Sequence, residues 1–163
     1  MKYFAGIDIG STSIKITIID EEQNIIGYKI SASGSMFYKY AKESLQELLL
    51  SLAIDQSNLV YIVSTGYGRK LYKEANENIS EITANAIGAK AAAKEYGEIK
   101  TIINIGGQDS KAISLDNEGN VVNFAMNDRC AAGTGKFLDV VALKLELDID
   151  DLGKYHFLST GVP

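Results

Sequence analysis

Residues 7–28 read IDIGSTSIKITIIDEEQNIIGY, and this stretch decides the fold. Ile14, Ile16 and Ile18 alternate with polar residues, which is the period-two pattern of a half-buried strand. Gly10-Ser11-Thr12 and the polar run at 20–24 are turn signals on either side of that strand. The stretch therefore predicts a strand, a tight turn, a second strand, a polar turn and a third strand.

The same pattern returns 96 positions later, where residues 103–124 read INIGGQDSKAISLDNEGNVVNF. Aligned without a gap, the two stretches share seven identities in 22 positions, including the turn glycine, a lysine and the turn acids. Internal repetition of this kind indicates duplication. It predicts two lobes of like topology, over residues 1–97 and 98–163. The second strand differs in its packing face, because Ser110, Ala112 and Ser114 replace the isoleucines.

The segments between the two hairpins complete an α/β pattern. Residues 36–52 have the apolar spacing of an amphipathic helix, and Leu59–Val63 predicts a short buried strand. The alanine-rich residues 82–96 predict a helix ended by Gly97. A further helix is expected at Lys136–Leu145, with Thr134 as its N-cap. The fold class expected is thus α/β, with mixed sheets flanked by helices.

Composition excludes several classes of function. The net charge of -5 and the pI near 4.9 argue against a nucleic-acid partner. No stretch approaches the roughly 20 apolar residues of a membrane span, and Asp8 interrupts the N-terminus too early for a signal peptide. A single cysteine, Cys130, excludes an intramolecular disulfide. A cytoplasmic protein that contacts no membrane is expected, and the ending Gly161-Val162-Pro163 looks cut rather than finished.

The first hairpin carries the residue types of a phosphate site. A glycine-containing turn lets backbone N–H groups converge on phosphate oxygens, and Ser11, Thr12 and Ser13 add hydroxyl donors. Lys15 has the reach for a β- or γ-phosphate. Asp8 lies where a carboxylate could hold Mg²⁺, through water. Taken alone, the motif is equally compatible with an ordinary β-turn and a surface lysine.

The second hairpin strengthens the phosphate hypothesis. Gly106, Gly107, Gln108, Asp109 and Lys111 again place glycine, an acid and a lysine after a buried strand. Two such turns could hold a triphosphate from both sides of a cleft, so that nucleotide state sets the angle between lobes. Asp109 could orient the attacking water or bind the metal through water. The chain has no Walker pattern, so a P-loop fold is not supported.

Cys130 lies in NDRCAAGTG, residues 127–135, just before a predicted helix. A helix N-terminus and the neighbouring Arg129 favour a thiolate, which metals and iron–sulfur clusters require. A small buried apolar role is the alternative for an isolated cysteine. One thiolate cannot hold a cluster, and a twofold dimer would supply two. STGYGR at 64–69 is either a loop lining the cleft or a plain strand–helix connection, and His156 is interpreted as structural or surface.

Five motifs in this order resemble the ATP-dependent activators of 2-hydroxyacyl-CoA dehydratases and benzoyl-CoA reductases: GIDIGSTSIKITIID, STGYGR, EITANAIGAK, NIGGQDSK and NDRCAAGTGKFLD. That family belongs to the superfamily of actin, sugar kinases and chaperone ATPases. The resemblance implies duplicated ribonuclease H-like lobes, the second one truncated here. It covers the whole chain, and NDRCAAGTG is its most specific part.

The resemblance also implies cofactors and partners. ATP or ADP with Mg²⁺ would bind the two hairpins, with Gly133 and Thr134 added to the nucleotide-binding set. Asp8, Asn104 and Asp109 would form the catalytic set. A homodimer would share one [4Fe–4S] cluster, to which Cys130 would contribute a ligand, and an electron would pass to a CoA-ester dehydratase or reductase.

This chain departs from the family pattern at two places. Asn104 stands where the family usually has aspartate, which puts hydrolysis in doubt because asparagine carries no charge. Ala84-Asn85 stands where relatives often carry Cys-His. Two other functions therefore stay open: a non-hydrolysing nucleotide-binding module and a small-molecule kinase of the same superfamily. Whether the chain by itself is an active ATPase is also left open.

Overall fold

The computed structural model describes residues 1–127, 132–158 and 160–161. The chain divides into two compact units, Met1–Glu95 and Tyr96–Pro163, and each has its own sheet. No helix in the described ranges is both long and apolar enough to cross a membrane. The two units are described in turn.

The first unit is built on five strands, β1 (Tyr3–Ile9), β2 (Ser13–Ile19), β3 (Ile25–Ala32), β4 (Leu59–Thr65) and β5 (Glu77–Asn78). They lie in the order β3-β2-β1-β4-β5. The first three form an antiparallel meander, while β4 runs parallel to β1 and β5 parallel to β4. The sheet is therefore mixed, as expected for the fold class. The prediction of a buried strand at Leu59–Val63 is wrong in its burial, because these residues of β4 are all half-buried or exposed.

Helix α1 (Phe37–Ser51) covers one face of this sheet. Its apolar stripe packs on the isoleucines of β1 and β2, which alternate with polar residues and so all point to one side. The result is the main core of the unit, with Ile9, Ile14 and Ile18 fully buried. The opposite face carries Asp8 and Lys15, and this separation leaves the polar row open for chemistry.

Two 3₁₀ turns, Gln56–Asn58 and Arg69–Leu71, and helix α2 (Glu81–Ala92) complete the first unit. Ser80 caps α2 by accepting a hydrogen bond from the N–H of Thr83 at 3.0 Å. The prediction of a helix over 82–96 ended by Gly97 is wrong at its C-terminal end. The helix ends at Ala92 with Ala93 as its cap, and Gly97, at φ +97°, lies beyond a further turn. Alanine content favours a helix but does not by itself set where it stops.

The second unit contains strands β6 (Thr101–Ile105), β7 (Ser110–Leu115) and β8 (Val121–Asn127) in an antiparallel sheet of that order. Helices α3 (Gly135–Lys144) and α4 (Ile149–His156) follow. Thr134 occupies the predicted N-cap position of α3 and is buried, but its side chain makes no capping hydrogen bond to the helix. The three-strand meander repeats the first three strands of the first unit.

The two meanders agree in register as well as in order. Asp8 pairs with Lys15 across the first hairpin, and Asn104 pairs with Lys111 across the second. Each pair is displaced by 96 positions, as in the sequence repeat. The irregularity in the outer pairing also recurs, between Ile18 and Ile19 and again between Ser114 and Leu115. A register shift at the same place in both copies supports the duplication.

The polar turns between the second and third strands are also alike. Asp20 Oδ1 accepts hydrogen bonds from the N–H groups of Glu22 and Asn24 at 3.0 and 2.8 Å. Asp116 Oδ1 accepts from Glu118 and Asn120 at 2.9 and 2.8 Å. In each turn the asparagine side chain also donates to the second carboxylate oxygen. These hydrogen bonds favour the charged form and lower the pKa of both aspartates below the ordinary 3.8.

The lowered pKa of Asp20 predicts a specific loss of stability in acid. Its hydrogen bond with Asn24, the largest cause, stabilises the folded state fully above about pH 4 and is lost as the pH falls through the lower folded-state pKa. Asp20→Asn should therefore lower stability near pH 6 and flatten the decline of unfolding free energy below pH 4. Denaturant titrations at several pH values measure both effects.

Glu22→Gln is the matched control, because Glu22 lies exposed in the same turn. Its pH profile should follow that of the unsubstituted protein. An Asp20→Asn variant whose stability falls in acid as steeply as the parent would show that this turn does not contribute to acid sensitivity.

Candidate phosphate-binding hairpins

The turn of the first hairpin is held closed by a backbone hydrogen bond from Gly10 N–H to the Ser13 carbonyl at 3.0 Å. Ser33 braces it from β3's end, donating its hydroxyl to the Gly10 carbonyl at 2.6 Å and its N–H to the Thr12 carbonyl at 3.2 Å. Within the described part of the chain, no backbone acceptor is found for the N–H groups of Ser11 and Thr12. Both residues are exposed, so these donors can meet a ligand oxygen.

Asp8 and Lys15 form an ion pair directly behind this turn. Lys15 Nζ donates to Asp8 Oδ2 at 2.9 Å, and the side chains are 50% and 33% exposed. A half-exposed lysine side chain can still change rotamer, and an exposed ion pair contributes about 0–1 kcal/mol to stability. Lys15 can therefore exchange the carboxylate for a phosphate oxygen at little cost in stability.

The segment after β4, which contains STGYGR, lies against this hairpin; its predicted place in a cleft stays a prediction. Gly68 donates its N–H to the Ile9 carbonyl at 2.8 Å. Gly66 has φ +88°, and a Cβ at that position would lie 2.4 Å from Asp8 Oδ1 and 2.6 Å from the Ile9 carbonyl oxygen. Only glycine fits such an approach. The stretch is thus both a strand–3₁₀ connection and a wall beside Asp8.

The hydrogen bonds of Ser64 and Arg69 fix the shape of this wall. Ser64 Oγ is fully buried and lies 3.0 Å from the Arg69 carbonyl and 2.9 Å from Asn78 Oδ1. Arg69 Nη1 donates back to the Gly66 carbonyl at 3.1 Å. Arg69 is thereby engaged within its own loop.

The far end of the segment is anchored on α1 by an aromatic and charged cluster. The ring of Tyr72 is buried 5.9 Å from that of Tyr38, and burial raises the pKa of Tyr72 to about 12. Glu74 accepts hydrogen bonds from Tyr38 Oη at 2.5 Å and from Lys42 Nζ at 3.2 Å. These hydrogen bonds lower the pKa of Glu74 and raise that of Lys42. The segment is tied at both ends and so positioned against Asp8.

The turn of the second hairpin closes in the same way, by Gly106 N–H to the Asp109 carbonyl at 2.8 Å. Gly107 and Gln108 occupy the exposed tip, as Ser11 and Thr12 do in the first hairpin. The side chains at the tip differ, since the second turn offers glycine and an amide where the first offers two hydroxyls. Backbone N–H groups are the donors common to both turns.

The lysine of the second hairpin has a different environment. Lys111 is 5% exposed, and its Nζ lies 2.5 Å from Asp109 Oδ1. In the first hairpin the acid lies across the ladder on β1, whereas Asn104 occupies that ladder position here. Asp109 supplies the charge from the turn instead. Asn104 is half-buried in β6, opposite Lys111.

Gly133 and Thr134 are brought to this second turn by the start of α3. The N–H groups of Gly135 and Lys136 donate to the carbonyls of Gly106 and Gly107 at 2.9 and 2.8 Å. Ser110 Oγ donates to the Gly133 carbonyl at 2.6 Å. The predicted nucleotide-binding residues Gly133 and Thr134 therefore lie beside Gly106 and Gly107, and their role in binding stays a prediction.

Cys130 lies outside the described residues, as do Asp128, Arg129 and Ala131. The residues that flank this gap, Asn127 and Ala132, are joined by a hydrogen bond from Asn127 Nδ2 to the Ala132 carbonyl at 3.4 Å. In the described ranges no group of three His, Cys, Asp or Glu side chains could hold a metal ion. His156 is exposed at the end of α4, with its ring against Phe157.

These groups suit phosphate chemistry. Each turn offers exposed backbone donors, each hairpin has a lysine, and the first pairs its lysine with a carboxylate that could hold Mg²⁺ through water. Thr65, Gly66 and Gly68 belong to STGYGR, for which a cleft loop was only one of two interpretations, and none was named as a site residue; the structure places them next to Asp8 and Ile9. Two glycines spaced by one residue after a strand indicate that the backbone approaches another segment closely, but they do not indicate which residue it approaches.

Comparison with known proteins identifies the family to which this fold and these hairpins belong. Residues 5–160 match the BadF/BadG/BcrA/BcrD ATPase family, and the chain belongs to that family. The family recognised from the five motifs is therefore confirmed. The α/β actin-like ATPase fold expected from the same motifs is confirmed by the structural neighbours.

Three comparisons, one with a sequence and two with solved structures, show what this chain is similar to. The 2-hydroxyisocaproyl-CoA dehydratase activator of Clostridioides difficile is 40% identical over 151 residues, 93% of this chain and 55% of the relative. The structure of (R)-2-hydroxyglutaryl-CoA dehydratase component A from Acidaminococcus fermentans superposes with a TM-score of 0.90 at 36% identity, covering 100% of this chain and 61% of that one. The structure of the 2-hydroxyisocaproyl-CoA dehydratase activator from Clostridium difficile with bound ADPNP superposes with a TM-score of 0.86 at 38% identity. It covers 99% of this chain and 59% of that one.

The chain thus spans 55–61% of the length of these relatives. A more distant structure, the ethanolamine utilization protein EutJ from Carboxydothermus hydrogenoformans, has a TM-score of 0.60 at 15% identity and shares the fold alone.

Proposed function

We propose that the protein to which this chain belongs is an ATP-hydrolysing activator of a 2-hydroxyacyl-CoA dehydratase or a related CoA-ester reductase. The observation that carries the proposal is the pair of glycine turns with matched register and a lysine at the same ladder position. Several relatives with 38–40% identity are dehydratase activators, and the structure of one of them contains bound ADPNP. Within this proposal, nucleotide binding at the first hairpin requires only residues whose positions are described above.

The residues of the first hairpin have distinct roles in this proposal. Ser11 and Thr12 offer N–H and hydroxyl donors to phosphate oxygens, and Lys15 neutralises phosphate charge after it leaves Asp8. Asp8 would hold Mg²⁺ through water, and Mg²⁺ when bound would neutralise charge on the phosphates. Asp109 and Asn104 would act at the second hairpin, where Asp109 is the only one of the two that can accept a proton.

The activator proposal extends to an iron–sulfur cluster held between two copies of the protein. Cys130 would supply a thiolate, the ligand that such clusters need. When bound, the cluster would provide a one-electron carrier for the dehydratase or reductase. The support is the family membership and the sequence NDRCAAGTG. Two of its described residues, Gly133 and Gly135, make hydrogen bonds with the second hairpin.

Iron and sulfide analysis of the full-length protein, purified without oxygen, tests this part. A brown homodimer with about four irons per dimer is expected, and Cys130→Ser should lose the colour while keeping nucleotide affinity. A colourless, iron-free dimer would refute the cluster. Phosphate transfer to a small molecule that survives Cys130→Ser would instead point to a kinase.

Lys15→Met tests the nucleotide site itself. ATP affinity is expected to fall by about tenfold or more, because a charge-assisted hydrogen bond is lost. The melting temperature without nucleotide should change little, since the Lys15–Asp8 pair is exposed. Calorimetric titration with ATP and thermal unfolding measure the two quantities.

Lys29→Met is the matched control for Lys15→Met. Lys29 lies on neighbouring β3 and makes a comparable surface ion pair with Glu47 at 2.7 Å. Its loss should leave ATP affinity unchanged. Equal losses of affinity in the two variants would show that charge in general, and not Lys15 in particular, attracts the nucleotide.

A non-hydrolysing nucleotide-binding module is the second candidate function. The observation that favours it is Asn104, an uncharged residue at the ladder position that Asp8 occupies in the first hairpin. If this function is correct, the full-length protein binds ATP without turning it over, and Asn104→Asp restores turnover. A steady-state ATPase assay on both forms separates the two functions.

A further inference from the structure

The hydroxyl of Thr65 is a polar atom that the fold buries without a partner. Thr65 Oγ1 has less than 1 Å² of accessible surface, and no hydrogen-bond partner is found for it within the described residues. Leaving a buried hydroxyl unpaired costs free energy. Such an exception in an otherwise satisfied strand requires a reason beyond packing.

Thr65 lies in register with the two charged residues of the first hairpin. It ends β4 and pairs with Asp8 on β1, and Asp8 pairs in turn with Lys15 on β2. Residues paired across adjacent strands share one face of a sheet. Lysine, aspartate and threonine therefore form one row across three strands, on the face opposite to the isoleucine core.

The two carboxylate oxygens of Asp8 face different neighbours. Oδ2 accepts the hydrogen bond from Lys15, whereas Oδ1 lies against the backbone of Gly66, where a Cβ would be only 2.4 Å away. Gly66 directly follows Thr65. The oxygen that Lys15 leaves unused is thus turned toward the segment that carries the unpaired hydroxyl.

We propose that Thr65 is a positioning residue for Asp8 in the nucleotide-bound state. Without nucleotide, Asp8 is oriented by Lys15. When phosphate draws the Lys15 ammonium away, Asp8 rotates and accepts a hydrogen bond from Thr65 Oγ1, which then holds the carboxylate in one orientation for Mg²⁺ or water. This inference rests on the proposed nucleotide function and names a residue outside the predicted site.

The physical reason for the arrangement is an exchange of partners. A carboxylate that loses its ammonium needs another donor, and hydrogen bonds to charged groups are stronger than those between neutral groups. A hydroxyl already satisfied by the protein could not take that role. The unpaired state of Thr65 is the cost of keeping a donor available.

Thr65→Val and Thr65→Ser in the full-length protein test the proposal. Valine removes the hydroxyl at nearly constant volume, so the melting temperature without nucleotide should be equal to or higher than that of the parent. The rise in melting temperature with Mg²⁺–ATP should shrink, while the rise with ATP and a chelator should stay. The kcat for ATP should fall about tenfold with KM within about threefold, and Thr65→Ser should restore most of it.

Thr17→Val is the control, because Thr17 lies on the same face of the sheet, two residues along β2 from Lys15. It should leave kcat and the Mg²⁺-dependent stabilisation unchanged. A Thr65→Val variant with parental kcat and parental Mg²⁺-dependent stabilisation overturns the inference but leaves the nucleotide function intact. A parent protein that neither binds nor hydrolyses ATP overturns both.

Discussion

Replacing Gly66 by alanine is expected to remove nucleotide binding and to destabilise the first unit by roughly 2–5 kcal/mol. Two causes add. Gly66 adopts φ +88°, which side chains rarely tolerate, and a Cβ would meet Asp8 Oδ1 and the Ile9 carbonyl at 2.4 and 2.6 Å. Relief of the overlap must move either the carboxylate or the strand that ends in the phosphate turn. Denaturant unfolding and ATP titration measure the two losses.

Gly88→Ala is the matched control for Gly66→Ala. Gly88 lies exposed within α2, and a Cβ there would have no neighbour within 4 Å. Since alanine is the better helix former, this variant should be stabilised by up to about 1 kcal/mol. A Gly66→Ala protein with parental stability and ATP affinity would mean that neither property depends on the close approach of Gly66 to Asp8.

Removing the carboxylate of Asp109 is expected to destabilise the second unit by roughly 2–4 kcal/mol. Lys111 is 5% exposed and lies 2.5 Å from Asp109 Oδ1, so Asp109→Ala takes a close anionic partner from a buried ammonium. The double variant Asp109→Ala, Lys111→Met should recover part of the loss, because no buried charge then remains. Denaturant unfolding of the four proteins forms a double-mutant cycle.

Asp139→Ala controls for the loss of an acid in the same unit. Asp139 pairs with Lys136 on the surface of α3 at 4.0 Å, and both side chains are more than half exposed. Its removal should change stability by less than about 0.5 kcal/mol. If Asp109→Ala lowered the free energy of unfolding as little as Asp139→Ala, Lys111 would have to be stabilised mainly by groups other than this carboxylate.

The strand meanders could be predicted from sequence because their signals are local. Alternating isoleucines, a turn glycine and a polar run each act over a few residues, and the repeat at 96 positions supplied an independent check. The pairing of Asp8 with Lys15 follows from the length of the turn. The family followed from five motifs in order.

The rest depended on contacts between distant segments. Gly66 lies against Asp8 because β4 pairs with β1, whose paired residues are 56–57 positions away in the chain, and no local pattern predicts that partner. The burial of Lys111 also escaped the sequence argument, which treated it as the equal of Lys15. The end of α2 at Ala92 was missed since alanine favours a helix without ending it.

The register that the two meanders share also limits how their turns can change length. Side chains alternate faces along a strand, so one residue inserted between Gly10 and Ser13 would turn Lys15 toward α1 and an isoleucine toward the phosphate turn. The same insertion between Gly106 and Asp109 would bring Lys111 out of its buried position. Loop lengthening, usually the most permissive change in a protein, is therefore expected to be among the least tolerated at these two tips.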